Sequence, residues 1–384
     1  MRNKQKKIMI LGAGEIQTPV IRKAKTEGYF TIVADYNPSA PGFEFADLKL
    51  IVSTRDKDEI LKNALKYNID GILTTSDFPV RVVSYVAEKN GLKALSPDSA
   101  YLCTNKFLLR EKLKSSNLHY PDYFFIKEKK DLVNVTDFPA VIKPVDASAS
   151  RGVRKVNNQN ELLKEYDYTV SFSESKSVIV ETFIKGDEFS VEAITYNGKT
   201  DIIAITQKYK TGEKNGYFVE FAHKIPADIS NQKAELLKTT TLNLINLINL
   251  DNSSSHTEII LSENKAYIVE IGARLGGDYI ASDLVYLSTG IDMLLNVIKM
   301  SVNEEIDTVR KFNRHSAVQF ITAENYQSAV NFINSKNENI IKYEIKDFNN
   351  KIIKNSNDRM GYIILSAFSD KELNSLLKTV NNEN

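Results

Sequence analysis

His256-Thr257-Glu258-Ile259-Ile260-Leu261-Ser262-Glu263-Asn264-Lys265-Ala266-Tyr267-Ile268-Val269-Glu270-Ile271-Gly272-Ala273-Arg274 reads as two apolar strands joined by a polar turn. Each strand carries one carboxylate, Glu258 or Glu270, inside otherwise apolar sequence, where an unpaired charge is costly to bury. With an odd-numbered turn centred on Asn264, the two carboxylates face each other. A two-residue turn puts them on opposite faces. Facing each other, they form an oxygen site of the kind Mg²⁺ takes, a few carboxylates completed by phosphate oxygens. Arg274 follows four residues after Glu270, just before Gly276-Gly277-Asp278. An arginine there can stabilise charge developing on a phosphoryl or acyl group. The alternative is a structural Glu–Arg network.

Working upstream, Val178 to Phe183 is a strand whose first apolar run ends at Glu181, followed by Ile184-Lys185-Gly186-Asp187-Glu188. Glu181 can accept from an adenine amino group, the backbone of Phe183 and Ile184 can meet the ring edge, and Glu188 can accept from ribose hydroxyls. Both carboxylates can equally belong to a solvated hairpin. Ahead of this lies the strand Phe138 to Lys143, then Pro144-Val145-Asp146-Ala147-Ser148-Ala149-Ser150-Arg151-Gly152. A lysine at the end of an apolar strand calls for an anion. The small, hydroxyl-rich segment after it can fold its backbone N–H groups, Ser148 and Ser150 over phosphates. An edge-strand lysine beside a surface loop is the alternative. Lys208 and Glu220-Phe221-Ala222-His223 are separated by the polar loop Tyr209 to Tyr217. His223 and His256 are two of only four histidines, each a candidate for the site or for the core.

The first hundred residues alternate short apolar runs (Lys7 to Leu11, Thr31 to Ala34, Leu48 to Val52, Gly71 to Thr74) with amphipathic stretches, the pattern of a parallel α/β unit. Gly12-Ala13-Gly14-Glu15-Ile16-Gln17 follows the first run, and Asp35 ends the second. This is two-thirds of a dinucleotide fingerprint, with Gln17 in place of the third glycine. The loop either takes an NAD-type cofactor or is a Rossmann-like turn at a small substrate. Asp77-Phe78-Pro79 opens toward the same cleft or simply starts a helix. Helices are expected from Pro79 to Asn90, Asn105 to Ser116 and Ala234 to Leu250, with hairpin strands flanking Asn197-Gly198. The last 75 or so residues return to short strands (Ser316 to Thr322, Ile340 to Ile345, Tyr362 to Phe368) and a final helix from Asp370.

Composition limits the function classes. The 384 residues suffice for two or three domains. Fifty Lys and Arg balance 49 Asp and Glu, so no overall field draws the chain to nucleic acid or to an anionic membrane. Cys103 is the only cysteine, which excludes an internal disulfide and a cysteine-based metal cluster. No run of 18 apolar residues exists and the basic start Met1 to Lys7 leads directly into a strand, so a cytoplasmic protein is expected.

Taken in order, these segments resemble the ATP-grasp superfamily, in particular its carboxylate–amine ligase branch, which includes bacterial L-amino-acid ligases and, more distantly, biotin carboxylase and D-alanine–D-alanine ligase. The resemblance runs from Asn105-Lys106 through Val141-Ile142-Lys143-Pro144, the Ser/Ala/Gly loop, Glu181 with Glu188, Glu220-x-x-His223-x-x-Pro226, His256-Thr257-Glu258 and Glu270 to Asp278, and it ends at Arg359-Met360-Gly361-Tyr362. It implies an α/β and α+β protein in three parts: a Rossmann-like domain at 1–100, an ATP-grasp body of two subdomains at 101–305, and a small α+β domain at 306–384. It implies that Lys106, Lys143, Ser148 and Ser150 meet ATP phosphates, and that Glu181, Phe183, Ile184 and Glu188 hold adenosine. Glu258 and Glu270 then hold Mg²⁺, or Mn²⁺ in its place. Arg274 and Lys143 serve catalysis, and Lys208, Glu220, His223, Gly276 and Gly277 face the substrate. Two departures stand out. Gly272 occupies a position where many members carry a metal-binding Asn, and the phosphate loop is rich in Ser and Ala instead of Gly.

The implied reaction is ATP-dependent ligation of a small-molecule carboxylate to an amine through an acyl-phosphate, by a homodimer with no nucleic-acid or membrane partner. Three rivals remain. One is another ATP-grasp activity, such as bicarbonate or sugar-acid activation, although no biotin carrier segment is visible. Another is a dehydrogenase, which leaves Glu258, Glu270 and Arg274 without a role. The third is a non-catalytic nucleotide sensor, which has no need of the Glu258–Glu270 pair. Cys103 reads as a core residue.

Overall fold

The computed structural model describes residues 5–211, 216–349 and 353–382. Part of the loop Tyr209 to Tyr217 therefore lies outside the described residues, as do Glu383 and Asn384 of the Asn-rich chain end Asn381-Asn382-Glu383-Asn384. The first sheet is parallel, with strand order β3-β2-β1-β4. It is built from β1 (Lys7–Leu11), β2 (Phe30–Asp35), β3 (Leu48–Ile51) and β4 (Gly71–Leu73). Its strands are short and nearly all apolar because helices cover both faces. The α/β alternation expected from the sequence is realised here.

The second sheet is antiparallel, ordered β5-β8-β6-β7, from β5 (Tyr123–Ile126), β6 (Ala140–Pro144), β7 (Arg154–Val156) and β8 (Val178–Thr182). The helix Gln159–Ser171 backs it. That helix gives little sequence signal. Its buried Leu162, Tyr166 and Thr169 sit at helical spacing, but its start depends on the Asn158 side chain accepting from the Glu161 N–H.

The third sheet has eight antiparallel strands in the order β13-β12-β9-β10-β11-β14-β16-β15. They are β9 (Asp187–Tyr196), β10 (Lys199–Thr211), β11 (Val219–Ile225), β12 (Ser253–Ser262), β13 (Lys265–Gly272), β14 (His315–Phe320), β15 (Ile340–Ile345) and β16 (Gly361–Ala367). Asn197 and Gly198 form the two-residue turn between β9 and β10, both at positive φ, as such a turn requires. The largest core cluster joins the first sheet to the third, packing Ile8, Ile10 and Val33 with Ile194, Leu284, Ile298 and Ile364. The C-terminal ends of β1 and β4 therefore open onto the broad face of the large sheet. Among the described residues no single helix is long and apolar enough to cross a membrane.

Candidate active site

Three sheets meet around one cleft of about 830 Å³. Fifteen of the sixteen residues singled out as site candidates line it. The exception is Gly276, expected to face substrate. A Cβ at that position would lie 2.7 Å from Glu192 Oε2 and 3.0 Å from His256 Nδ1, so this glycine allows close packing behind the cleft wall. Gly277 does line the cleft and has open space around it.

The hairpin that carries the two carboxylates differs from the expected turn. Ser262 pairs with Lys265, leaving the two-residue turn Glu263-Asn264, both at positive φ. That turn alone would set Glu258 and Glu270 on opposite faces. A bulge reverses the outcome: Ile259 pairs with Ile268 and Glu258 pairs with Glu270, so Val269 is the extra residue. The bulged carbonyl of Val269 accepts from Arg110 Nη2 at 2.8 Å. Both carboxylates then point into the cleft, each about one-quarter exposed.

Each is balanced by lysine. Lys106, in the first turn of the helix Lys106–Leu113, sets Nζ 3.0 Å from Glu270 Oε2 and donates to the Ala147 carbonyl at 2.7 Å. Lys208 is the centre of a carboxylate cluster, with Nζ 2.6 Å from Glu258, 3.1 Å from Glu188 and 3.5 Å from Glu220. Burial opposes the Lys208 charge, but these three carboxylates outweigh it and hold the ammonium well above the ordinary lysine range. Burial likewise opposes the Glu258 charge, and Lys208 and His256 hold it well below the ordinary carboxylate range. Glu188 also pairs with Lys210.

Lys143 and Glu181 form a different kind of pair. Glu181 is 3% exposed, with Oε2 2.6 Å from Lys143 Nζ and Oε1 2.9 Å from Arg110 Nε. Neither Glu181 nor Glu188 is a solvated hairpin residue. Burial would raise the Glu181 carboxyl, but Arg110 and Lys143 outweigh it and hold it below its ordinary range. Phe183 and Ile184 follow along the cleft wall, with the Lys155 ammonium 3.8 Å from the Phe183 ring centroid. Ser148 and Ser150 lie in the loop between β6 and β7, where Ala149, Ser150 and Gly152 take positive φ.

At the other end of the cleft, distant segments close the site. Arg274 makes a forked pair with Asp77, Nε to Oδ1 at 2.7 Å and Nη2 to Oδ2 at 3.2 Å. Burial opposes the arginine's charge, and Asp77 reverses the effect and raises its pKa further. His223 Nε2 is 3.5 Å from Asp278 Oδ2, which also accepts from Arg359 Nη1 at 2.8 Å. Arg359 further donates to the Glu220 carbonyl through Nε at 3.1 Å and Nη2 at 2.8 Å.

The roles of Arg110, Arg359 and Glu192 were not read from the sequence. Arg110 carries no local signal, and Arg359 marks only the end of the resemblance; each acts through a partner far along the chain. Glu192 had a local signal: like Glu258, it is a carboxylate within an apolar strand. It is fully buried, accepting from His256 Nδ1 at 2.8 Å and from Ser190 Oγ at 2.8 Å. Burial disfavours charge on His256, but Glu192 prevails and pushes its pKa up to about 9. His256 Nε2 then reaches Glu258 at 3.4 Å, so a buried chain of contacts orients that carboxylate.

The Gly12 loop is occupied by its own side chains. Asp35 accepts from the Ala13 N–H at 2.8 Å and the Asn37 N–H at 2.9 Å. The Gln17 side chain lies over Gly12 and Gly14, where a dinucleotide pyrophosphate would need room. Cys103 is buried and its thiol is pushed well up by burial.

Glu258 and Glu270 are the candidate donors for a divalent cation in the cleft. Glu258 and Glu270 supply opposed oxygens, and among the described residues no third His, Cys, Asp or Glu completes a set with them. This donor set suits a cation whose remaining coordination comes from phosphate and water, as Mg²⁺ prefers.

Residues 136–283 match the ATP-grasp domain family. The formate-dependent phosphoribosylglycinamide formyltransferase of Sulfurisphaera tokodaii is 26% identical over 282 residues, 70% of each chain. In structure, the L-amino acid ligase of Bacillus licheniformis superposes with a TM-score of 0.81 over 99% of this chain and 98% of that one, at 18% identity. Phosphoribosylglycinamide synthetase from Anaerococcus prevotii superposes with a TM-score of 0.76, covering 99% of this chain and 98% of its own, at 23% identity. The family match thus spans both walls of the cleft from Lys143 to Asp278, so residues 136–283 form an ATP-grasp domain in an enzyme whose fold is shared along its length with these two structures.

Proposed function

We propose that this protein is a carboxylate–amine ligase that forms an amide or peptide bond through an acyl-phosphate and releases ADP and phosphate. One observation carries the reading: Glu258 stands opposite Glu270 at the centre of the cleft, with Lys106, Lys208 and Arg274 on the same walls. A sensor has no need of that arrangement, and the filled Gly12 loop argues against a dehydrogenase. The reading includes small-molecule substrates, a homodimer, a cytoplasmic setting, and a chain divided at 1–100, 101–305 and 306–384.

In this mechanism Lys106, Lys143, Ser148 and Ser150 hold the ATP phosphates, and Glu181, Phe183, Ile184 and Glu188 line the adenosine end. Because both Glu181 oxygens meet cations, its part is first to orient Lys143. Bound at Glu258 and Glu270, Mg²⁺ would neutralise the β- and γ-phosphate charge. A substrate carboxylate oxygen attacks the γ-phosphorus in line, and the bond to the β,γ-bridging oxygen breaks as ADP leaves. Lysines that are already positioned cost no reorganisation at that moment. The amine nitrogen then attacks the acyl carbon, the acyl C–O bond to the phosphate breaks, and inorganic phosphate departs with the proton that the nitrogen loses. Arg274, held in orientation by Asp77, faces the oxyanion that forms on the acyl carbon. Glu220, His223, Lys208 and Gly277 border the substrate end, and the Asp278 and Glu220 carboxylates there suit an ammonium group.

Phosphate release from Mg·ATP, measured against pooled amino acids and small carboxylates with formate included, tests the reading. Release that depends on both a carboxylate and an amine, and that disappears in Glu270→Ala, is expected. Tight ATP binding with no release in any pool would overturn it in favour of a sensor.

A further inference from the structure

The helix Lys106–Leu113 spans the seam between the four-stranded antiparallel sheet and the eight-stranded one. Its apolar face is fixed to the large sheet, with Leu109 and Leu113 buried in one cluster with Ile268 and Ile271 of β13. Lys106 and Arg110 stand four residues apart, one above the other on its basic face. Each touches both sheets. Lys106 reaches Glu270 on β13, and it meets the segment after β6 twice: its N–H donates to the Val145 carbonyl at 2.7 Å and its Nζ to the Ala147 carbonyl at 2.7 Å. Arg110 repeats this one turn along. Its Nη2 donates to the Val269 carbonyl on β13, and its Nε lies 2.9 Å from Glu181 Oε1 on β8. These two partners serve different parts of the cleft. Val269 is the extra residue that brings Glu270 opposite Glu258, and Glu181 holds Lys143 at 2.6 Å. Arg110 itself is fully buried behind the cleft wall.

We propose that Arg110 is a positioning residue that ties the cation site to the nucleotide site, holding the Glu270 carboxylate and the Lys143 ammonium in one fixed geometry. The bulge lies on only one strand of the hairpin, so a change in it moves Glu270 against Glu258. A bulge leaves its extra residue outside the ladder, and the Arg110 bond supplies the Val269 carbonyl with a partner. On the other side Arg110 faces Glu181, whose second oxygen holds Lys143. One planar guanidinium serves both, with two N–H groups at a fixed angle. A lysine ammonium is a point charge on a flexible stem and cannot hold two acceptors in that way. The inference rests on the ATP and Mg²⁺ binding proposed above, and adds that the two ligands are coupled through a residue that touches neither.

Calorimetric titration of ADP into the full chain, with Mn²⁺ present and with metal chelated, tests it. The factor by which Mn²⁺ tightens ADP measures the coupling between the two. Arg110→Lys keeps a cation beside Glu181 but releases the Val269 carbonyl, so that factor should shrink about tenfold or more. Metal-free ADP binding should stay close to that of the natural protein. Arg110→Met/Glu181→Gln removes both members of the buried pair, a change that folded proteins tolerate better than the loss of one partner, and it should shrink the factor as much. The spin-resonance spectrum of Mn²⁺ bound with ADP should change in both variants, because Glu270 has moved. Circular dichroism and the thermal midpoint show which variants are folded. A factor unchanged in a folded variant, or ADP weakened equally with and without metal, would overturn the role of Arg110. No ADP binding by the natural protein would instead overturn the nucleotide reading on which that role rests.

Discussion

Glu181 and Glu270 look alike in sequence, each a carboxylate near the end of an apolar strand, yet their surroundings differ. Glu181 is sealed between Arg110 and Lys143, both oxygens engaged, at 3% exposure. Glu270 faces an 830 Å³ cleft and, among the described residues, pairs with Lys106 alone. A buried carboxylate with two cations is a structural unit: removing one member strands the others. A cleft carboxylate with one exchangeable lysine can change partners when an anion and a cation arrive together. Burial and the number of counter-charges, more than residue type, separate support from chemistry.

Glu270→Ala tests this contrast most strongly. Phosphate release should fall by about 10³-fold, the loss of several kcal/mol of charge stabilisation, while urea unfolding changes by less than about 1 kcal/mol. Glu181→Gln should act first on stability, costing roughly 3–5 kcal/mol in the same titration because Arg110 and Lys143 are left facing each other, and should lower activity only through the loss of Lys143's orientation. If the two variants behave alike, the distinction fails.

Arg274→Lys sharpens the comparison within the cleft. Lysine cannot reproduce the fork to Asp77, so kcat should drop by about 10²-fold with KM for ATP unchanged. A rise in KM alone would instead assign Arg274 to ground-state binding.

Acid stability tests the buried triad of Glu181, Arg110 and Lys143. The Glu181 carboxyl is held below its ordinary range, so its contribution is present above the unfolded carboxylate value, about 4.5, and is lost as pH falls through the lower folded value. Between pH ~4.5 and lower pH, Glu181→Gln should flatten the loss of stability seen in the natural protein, and an unchanged acid limb would count against the buried triad.

The smallest expected effect concerns neighbours. Gly276→Ala presses a methyl group onto Glu192 and should cost roughly 1–3 kcal/mol. Gly277→Ala, with open space around it, should stay within about 0.5 kcal/mol, as read from thermal midpoints.

Much of this molecule was legible in order. The parallel first sheet and the Asn197-Gly198 hairpin follow from alternation and turn residues, and Lys143, Glu181, Glu258 and Glu270 from charges placed in apolar strands, whereas Lys106 entered through the family resemblance. Such signals are local, and each is written within a dozen residues. The helix Gln159–Ser171 escaped because its buried stripe is short and mostly polar. Glu192 escaped although its signal matched that of Glu258, because the reading of the Glu181 and Glu188 pair stopped four residues before it.

By itself, then, the sequence determined which residues are expensive to bury and roughly which elements carry them. Tertiary structure decided how those residues are answered. A two-residue turn should have separated Glu258 from Glu270, and a bulge at Val269, its carbonyl held by Arg110, set them opposite. Asp77 reaches Arg274 across 197 positions, and Arg359 reaches Asp278 across 81. Register shifts and long-range ion pairs depend on where whole sheets come to rest. That position is set by the sum of many weak packing terms, which no short stretch of sequence contains.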